Sequence, residues 1–97
     1  MHAIKPLSID ELQALSQALP LWHIEPSGAW MQRDFVFNDF IQAFGFMTQV
    51  AMLAQVQDHH PNWSNVYSTV SIKLFTHDCQ RLTLRDRQLA LAIEQLR

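Results

Sequence analysis

The sequence has little cysteine and no excess of positive charge, and each shortage excludes a class of protein. Its single cysteine, Cys79, permits neither an internal disulfide nor a metal site built from several thiolates. We therefore expect the protein to reside in the reducing cytoplasm. Seven Lys and Arg stand against nine Asp and Glu, which argues against direct nucleic-acid binding through bulk charge. No run of roughly 18 apolar residues is present to span a membrane. The first residues also lack the regions of a signal peptide.

What the sequence does contain is typical of one small globular domain. Its 97 residues are 48% hydrophobic and 16% charged, and we expect residues 1-97 to form a single domain. A domain of this length buries only a modest share of its surface, so association between copies would add stability.

Hydrophobic spacing and turn residues predict the elements of the first half of the chain. Ser8 and Glu11 form a capping-box pattern, and apolar residues then recur at helical spacing until Pro20. Residue types that favour strands occupy 22–25 and 29–37, on either side of a turn that contains proline and glycine. We therefore predict a helix followed by a β-hairpin.

The longest predicted helix runs from Phe40 to about Asp58 and is unusually apolar. We expect Asn38 to cap it, with Asp39 placed favourably for the helix dipole. Apolar residues extend well beyond one face, and a helix apolar over most of its circumference must be covered on both sides. The sequence therefore predicts that this helix packs on the sheet and also on a second copy of the chain.

The second half of the chain predicts two more strands and a last helix. Pro61 disfavours the helical conformation for the residue before it, so the long helix should end there. A β-rich stretch over 63–76, interrupted by a bulge or turn within 65–68, gives the two strands. Thr83 and Asp86 form a second capping-box pattern. The order α-β-β-α-β-β-α predicts an α+β two-layer sandwich, an antiparallel four-stranded sheet with helices packed on one face.

Residues capable of proton chemistry gather near the end of the long helix and the end of the last strand. His59 and His60 stand where Pro61 stops the helix, and His77 follows a strand. Imidazole titrates near neutral pH, so it can donate or accept a proton there. Other side chains in these stretches can orient an imidazole or stack on a flat ring: Asp58, Asp78 and Trp63.

The run His59-His60-Pro61-Asn62-Trp63, continued by Asn65-Val66-Tyr67 and later by Thr76-His77, resembles the pterin-4a-carbinolamine dehydratases. The likeness covers roughly 22–96 and is strongest from Phe40 onward. A histidine pair alone is weak as a signature, whereas this pair with proline, tryptophan and a third histidine at this spacing is specific.

The resemblance implies an activity and a set of roles. Family members dehydrate 4a-hydroxytetrahydropterin to quinonoid dihydropterin, a hydro-lyase step that supports tetrahydropterin recycling with no metal and no redox cofactor. By position, His59 and His77 match proton-transfer histidines and His60 matches the histidine that holds the pterin. The implied catalytic residues are His59, His60 and His77, and the implied substrate-binding residues are His60, Trp63, Asp58, Asp86 and Thr76. Relatives often carry glutamate where this chain has Gln55, a difference expected to weaken activity if that carboxylate tunes a histidine.

The family also forms dimers and tetramers, so we expect a homodimer or homotetramer through the long helix and a sheet edge. Other interpretations stay open. The three histidines are alternatively unrelated surface residues or a zinc site, although neighbouring histidine side chains diverge. Asp86 is equally well a capping residue, and Trp63 equally well a core residue. Three further residues are expected to be ordinary: His2, His23 and Cys79. The alternative function is a non-catalytic dimerisation or assembly module, like a transcriptional coactivator of the same fold, although three retained histidines argue against it.

Overall fold

The structure is a computed structural model that describes residues 4–96, and it shows three helices and a four-stranded sheet in that range. The elements in chain order are α1 (Ile9–Ala18), β1 (His23–Ile24), β2 (Met31–Val36), α2 (Phe40–Gln57), β3 (Asn62–Val66), β4 (Thr69–Leu74) and α3 (Leu84–Glu94). The strands are antiparallel in the order β1-β2-β4-β3. The predicted α-β-β-α-β-β-α order is confirmed. His2, which we expected to have no functional role, lies outside the described residues.

One face of the sheet carries the core. In β4, Val70, Ile72 and Leu74 are buried and alternate with half-exposed residues, because successive side chains of a strand point to opposite faces. Phe35 of β2 pairs with Val70 on the same face. The buried cluster joins these residues to all three helices through Leu15, Val50 and Leu89. The helices therefore pack on one face of the sheet, as predicted.

The helix starts follow from their capping residues, with one correction. In α1 the predicted capping box is present: Glu11 N donates to Ser8 Oγ at 3.1 Å, and Ser8 N donates to Glu11 Oε1 at 2.8 Å. The prediction that Asn38 caps α2 is wrong by one residue. Asp39 is the cap and its carboxylate accepts from Gln42 N at 2.8 Å. Asn38 N donates instead to Gln42 Oε1, so both residues are used at this helix start.

The end of α2 decides where the histidine pair points. Asp58 adopts the left-handed conformation, with φ of 51°, and its N–H closes on the carbonyl of Ala54. Left-handed caps of this kind reverse the chain direction at a helix end. His59 N then donates to the same Ala54 carbonyl at 3.0 Å. Beyond this turn, His59 is buried and His60 is exposed. No helix within residues 4–96 is long and apolar enough to cross a membrane.

Candidate active site

The ends of α2 and β4 and the start of α3 meet around a cavity of about 270 Å³. Its lining contains all three histidines that the sequence singled out. The residues around it are Asp58, His59, His60, Pro61, Asn62, Thr76, His77, Asp78 and Arg85. Segments that are far apart in the chain therefore converge on one small polar site.

His59 is the buried member of the three, with 7% of its surface exposed. Its Nε2 lies 2.5 Å from Oδ1 of Asp86, a carboxylate with no exposed surface. An ionised carboxylate only accepts hydrogen bonds, so Nε2 donates and Nδ1 is the ring nitrogen left for a ligand. A buried carboxylate needs such saturated bonding, because isolated charge is strongly disfavoured in the interior.

Asp86 is itself held by two further donors. The hydroxyl of Thr76 donates to Oδ2 at 2.8 Å, and the backbone N–H of Thr83 donates to the same oxygen at 2.9 Å. The Thr83 hydroxyl lies 2.7 Å from that of Thr76. Since the Thr76 proton goes to Asp86, Thr83 donates in that bond. The chain Thr83–Thr76–Asp86–His59 is thus a closed network that sets the orientation of the imidazole.

The predicted capping box of α3 is part of this network. Thr83 caps the helix and Asp86, its third residue, bonds back to the Thr83 N–H. The capping interpretation of Asp86 is therefore confirmed, and the same carboxylate also holds His59, while its role in substrate binding stays a prediction. Asp86 does not itself line the cavity, but it is hydrogen-bonded to His59, which does.

His60 and His77 are the exposed members. His60 Nε2 lies 3.1 Å from Oε1 of Gln55, one turn back in α2. Gln55 is the residue where the family resemblance led us to expect a glutamate. The ring of His77 packs against that of Phe75, with centroids 4.6 Å apart. The three imidazoles therefore differ in exposure and in partner, which permits different roles.

The structure does not place every predicted residue at the cavity. Trp63 pairs with Ile72 on the core face of the sheet and packs against the core. This agrees with the interpretation of Trp63 as a core residue. His23 is exposed on β1 beside Trp30 and lies outside the cavity. Cys79 is half-buried. Within residues 4–96, no group of three or more His, Cys, Asp or Glu side chains is arranged to hold a metal ion.

The structure also brings in residues to which the sequence assigned no role. Asn62 and Arg85 line the cavity. Asn62 belongs to the quoted motif, and Arg85 stands in the first turn of α3 immediately before Asp86. Their positions at the start of β3 and of α3 were the available signal, because element ends present polar groups to clefts.

Comparison with known proteins places the chain in a family. The sequence profile described as Pterin 4 alpha carbinolamine dehydratase matches residues 5–96. A protein of Synechococcus sp. (strain WH7803), whose name assigns it to the pterin-4-alpha-carbinolamine dehydratases, is 50% identical over 96 residues, 99% of each chain. One of Prochlorococcus marinus (strain MIT 9313), named likewise, is 47% identical over 93% of this chain and 92% of its own.

A solved structure gives the same result for the fold. The crystal structure of a transcriptional coactivator/pterin dehydratase from Brucella melitensis superimposes with a TM-score of 0.88 at 35% identity, covering 94% of this chain and 97% of that one. The chain is therefore an enzyme of the hydro-lyase class, and it belongs to the pterin 4 alpha carbinolamine dehydratase family.

Proposed function

We propose that this chain dehydrates 4a-hydroxytetrahydropterin to quinonoid dihydropterin and water by acid–base catalysis from the cavity histidines. The observation that carries the proposal is the meeting of His59, His60 and His77 around one cavity, with His59 oriented by a buried carboxylate. Family membership supports the substrate and the type of reaction.

The reaction is a net loss of water across the bond between C4a and N5. An acid protonates the hydroxyl on C4a, the C–O bond breaks, and water leaves. A base takes the proton from N5, and the C4a–N5 double bond forms. No electrons enter or leave the system, so positioned proton donors and acceptors are sufficient for the step.

The geometry supports separate roles for the three histidines. His59 presents Nδ1 because Nε2 is held by Asp86, and His77 lines the same cavity from the loop after β4. In the proposal these two exchange protons with the leaving hydroxyl and with N5. His60, exposed and bonded to Gln55, holds the pterin and assists the transfer.

The test is a stopped-flow absorbance assay of 4a-hydroxytetrahydropterin breakdown, with spontaneous dehydration as the baseline. His59→Ala, His60→Ala and His77→Ala are each expected to lower the catalysed rate on the order of 100-fold or more. The matched control is His23→Ala, which removes an exposed histidine outside the cavity and should keep wild-type activity. A folded wild-type protein that leaves the baseline unchanged would overturn the proposal.

We further propose that the chain is a homodimer or homotetramer formed through α2 and a sheet edge. Helix α2 exposes large apolar side chains: Ile41, Met52 and Val56 are 76%, 65% and 85% exposed. Exposed apolar patches on a protein surface commonly mark a site that another protein chain covers. Strand β3 lies at one end of the sheet order, and open edges invite pairing. Sedimentation should show Val56→Lys shifted toward smaller species, while Leu21→Lys, which is 66% exposed outside α2, sediments as wild type.

The remaining proposals concern the setting of the reaction. We place the protein in the cytoplasm, supported by its lone cysteine, and in tetrahydropterin recycling, supported by the family. We take residues 1-97 as one domain. The second candidate function is a protein-binding role, favoured by the similarity to the Brucella melitensis protein described as a coactivator and by the apolar surface of α2. An inactive wild-type protein that still forms oligomers would favour that role.

A further inference from the structure

His77 is carried by a tight loop over residues 76–81, and its position depends on that loop. Thr76 N donates to the carbonyl of Arg81 at 3.0 Å, and Gln80 N donates to the carbonyl of Thr76 at 2.7 Å. Within residues 4–96 the imidazole has no hydrogen-bond partner, and its ring rests on Phe75. The location of His77 is therefore set by how the loop is held.

The two ends of this loop are anchored in different parts of the fold. At the first end, the Thr76 hydroxyl donates to Asp86, the carboxylate that orients His59. At the second end, the guanidinium of Arg81 donates to the carbonyl of Ser27 in the turn between β1 and β2. The next residue, Leu82, donates its N–H to the carbonyl of Gly28 in the same turn at 2.9 Å.

The turn between β1 and β2 is held by hydrogen bonds among its own residues. Gly28 N donates to the carbonyl of Glu25 at 2.8 Å, and the Glu25 carboxylate accepts from Ser27 N at 3.1 Å. Gly28 has φ of 83°, which disfavours side chains. A Cβ there would lie 2.8 Å from Leu12 Cδ1 and 3.3 Å from a guanidinium nitrogen of Arg81. A side chain there would therefore crowd Leu12 and, less severely, Arg81.

We propose that Arg81 is a positioning residue, which holds the His77 loop against the turn between β1 and β2 and so sets the distance of His77 from His59. Neither Arg81 nor the turn lines the cavity, so the effect is transmitted through the loop backbone. The inference rests on the proposed dehydratase function for its catalytic consequence. Displacement of a catalytic group by about 1 Å can reduce rates on the order of 100-fold.

The first test is kinetic. Arg81→Ala is expected to lower kcat about tenfold with little change in KM, because the loop loses one of the contacts that hold its second end, whereas His60, which holds the pterin in the proposal, lies outside the loop. Arg81→Lys, which keeps a donor for the Ser27 carbonyl, should recover part of the loss. The control is Arg87→Ala, which removes an exposed arginine of α3 outside the cavity and should match wild type.

A double-mutant cycle separates positioning from general destabilisation. If Arg81 acts through His77, then Arg81→Ala added to His77→Ala should lower the rate by less than about twofold, because coupled residues are not additive. An equal loss in both backgrounds, or none in either, would overturn the proposal.

A second readout does not depend on activity. In NMR spectra, the ring signals of His77 should shift and broaden in Arg81→Ala but not in Arg87→Ala, while those of His23 stay unchanged. Unchanged His77 signals would refute the positioning role even in an active enzyme. An inactive wild type whose His77 signals respond to Arg81→Ala would refute the dehydratase proposal and leave the positioning role supported.

Discussion

Replacing Asp86 by asparagine tests how the buried carboxylate controls the catalytic imidazole. In the wild type, Asp86 accepts from three donors: His59 Nε2, the Thr76 hydroxyl and the Thr83 N–H. An asparagine has one acceptor oxygen and one NH₂ group that only donates. If its oxygen keeps the two bonds at the Oδ2 position, its NH₂ faces His59. The imidazole must then accept at Nε2 and carry its proton on Nδ1, the nitrogen proposed to serve the substrate.

The expected effects on stability and on rate can be estimated separately. Replacing the charged acceptor by a neutral amide weakens its buried hydrogen bonds from about 1.5–3 kcal/mol to about 0.5–1.5 kcal/mol each, so we expect a loss of stability of about 2 kcal/mol. In a domain of this size, 1 kcal/mol changes Tm by about 4–8 °C, so a loss near 2 kcal/mol lowers Tm by about 8–16 °C. The rate should fall on the order of 100-fold or more, because the general acid–base group is in the wrong tautomer.

Both quantities are directly measurable. Thermal unfolding followed by circular dichroism gives the change in Tm, and the stopped-flow dehydration assay gives kcat at a temperature where the variant is folded. The control is Asp34→Asn, the same substitution at an exposed position of β2 outside the cavity, which should match wild type in both assays. A folded Asp86→Asn protein with wild-type kcat would refute the reasoning that Asp86 sets the proton position on His59.

Three other predictions follow from local contacts. Ser8→Ala removes the α1 cap and should destabilise by about 1 kcal/mol in urea unfolding, with dehydratase activity unchanged; unaltered stability would contradict the capping role. The backbone N–H and the hydroxyl of Ser8 hold the pKa of Glu11 below its ordinary value, so the ionised carboxylate stabilises the fold above its unfolded pKa, and this contribution is lost as pH falls through the folded pKa. Glu11→Gln should therefore be less stable than wild type at neutral pH and converge with it in acid; a constant difference would be inconsistent with this linkage. Gln55→Glu should raise kcat/KM about threefold, because a carboxylate forms a stronger hydrogen bond to His60 than an amide does, and an unchanged or lower value would count against that contact.

Much of the fold was predictable from the sequence because its signals are local. The capping boxes at Ser8 and Thr83 each involve residues three positions apart, and Pro61 acts on the residue before it. Hydrophobic spacing identified the seven elements and their order. The start of α2 at Phe40 was predicted, but its cap was assigned to Asn38 instead of Asp39, because both residues are good caps and only the geometry of the first turn distinguishes them.

For the site as well, some features were predictable from the sequence and others were not. The sequence by itself determined the family and the candidate histidines, because a run of residue types at fixed spacing needs no knowledge of the fold. Only the tertiary structure decided that Asp86 orients His59, that Trp63 packs against the core, and that Arg81 lies on the turn between β1 and β2. The first and last of these contacts join residues 27 and 54 positions apart, and the face on which Trp63 lies depends on strand register. Such contacts arise from how distant segments pack together, for which the sequence has no local signal.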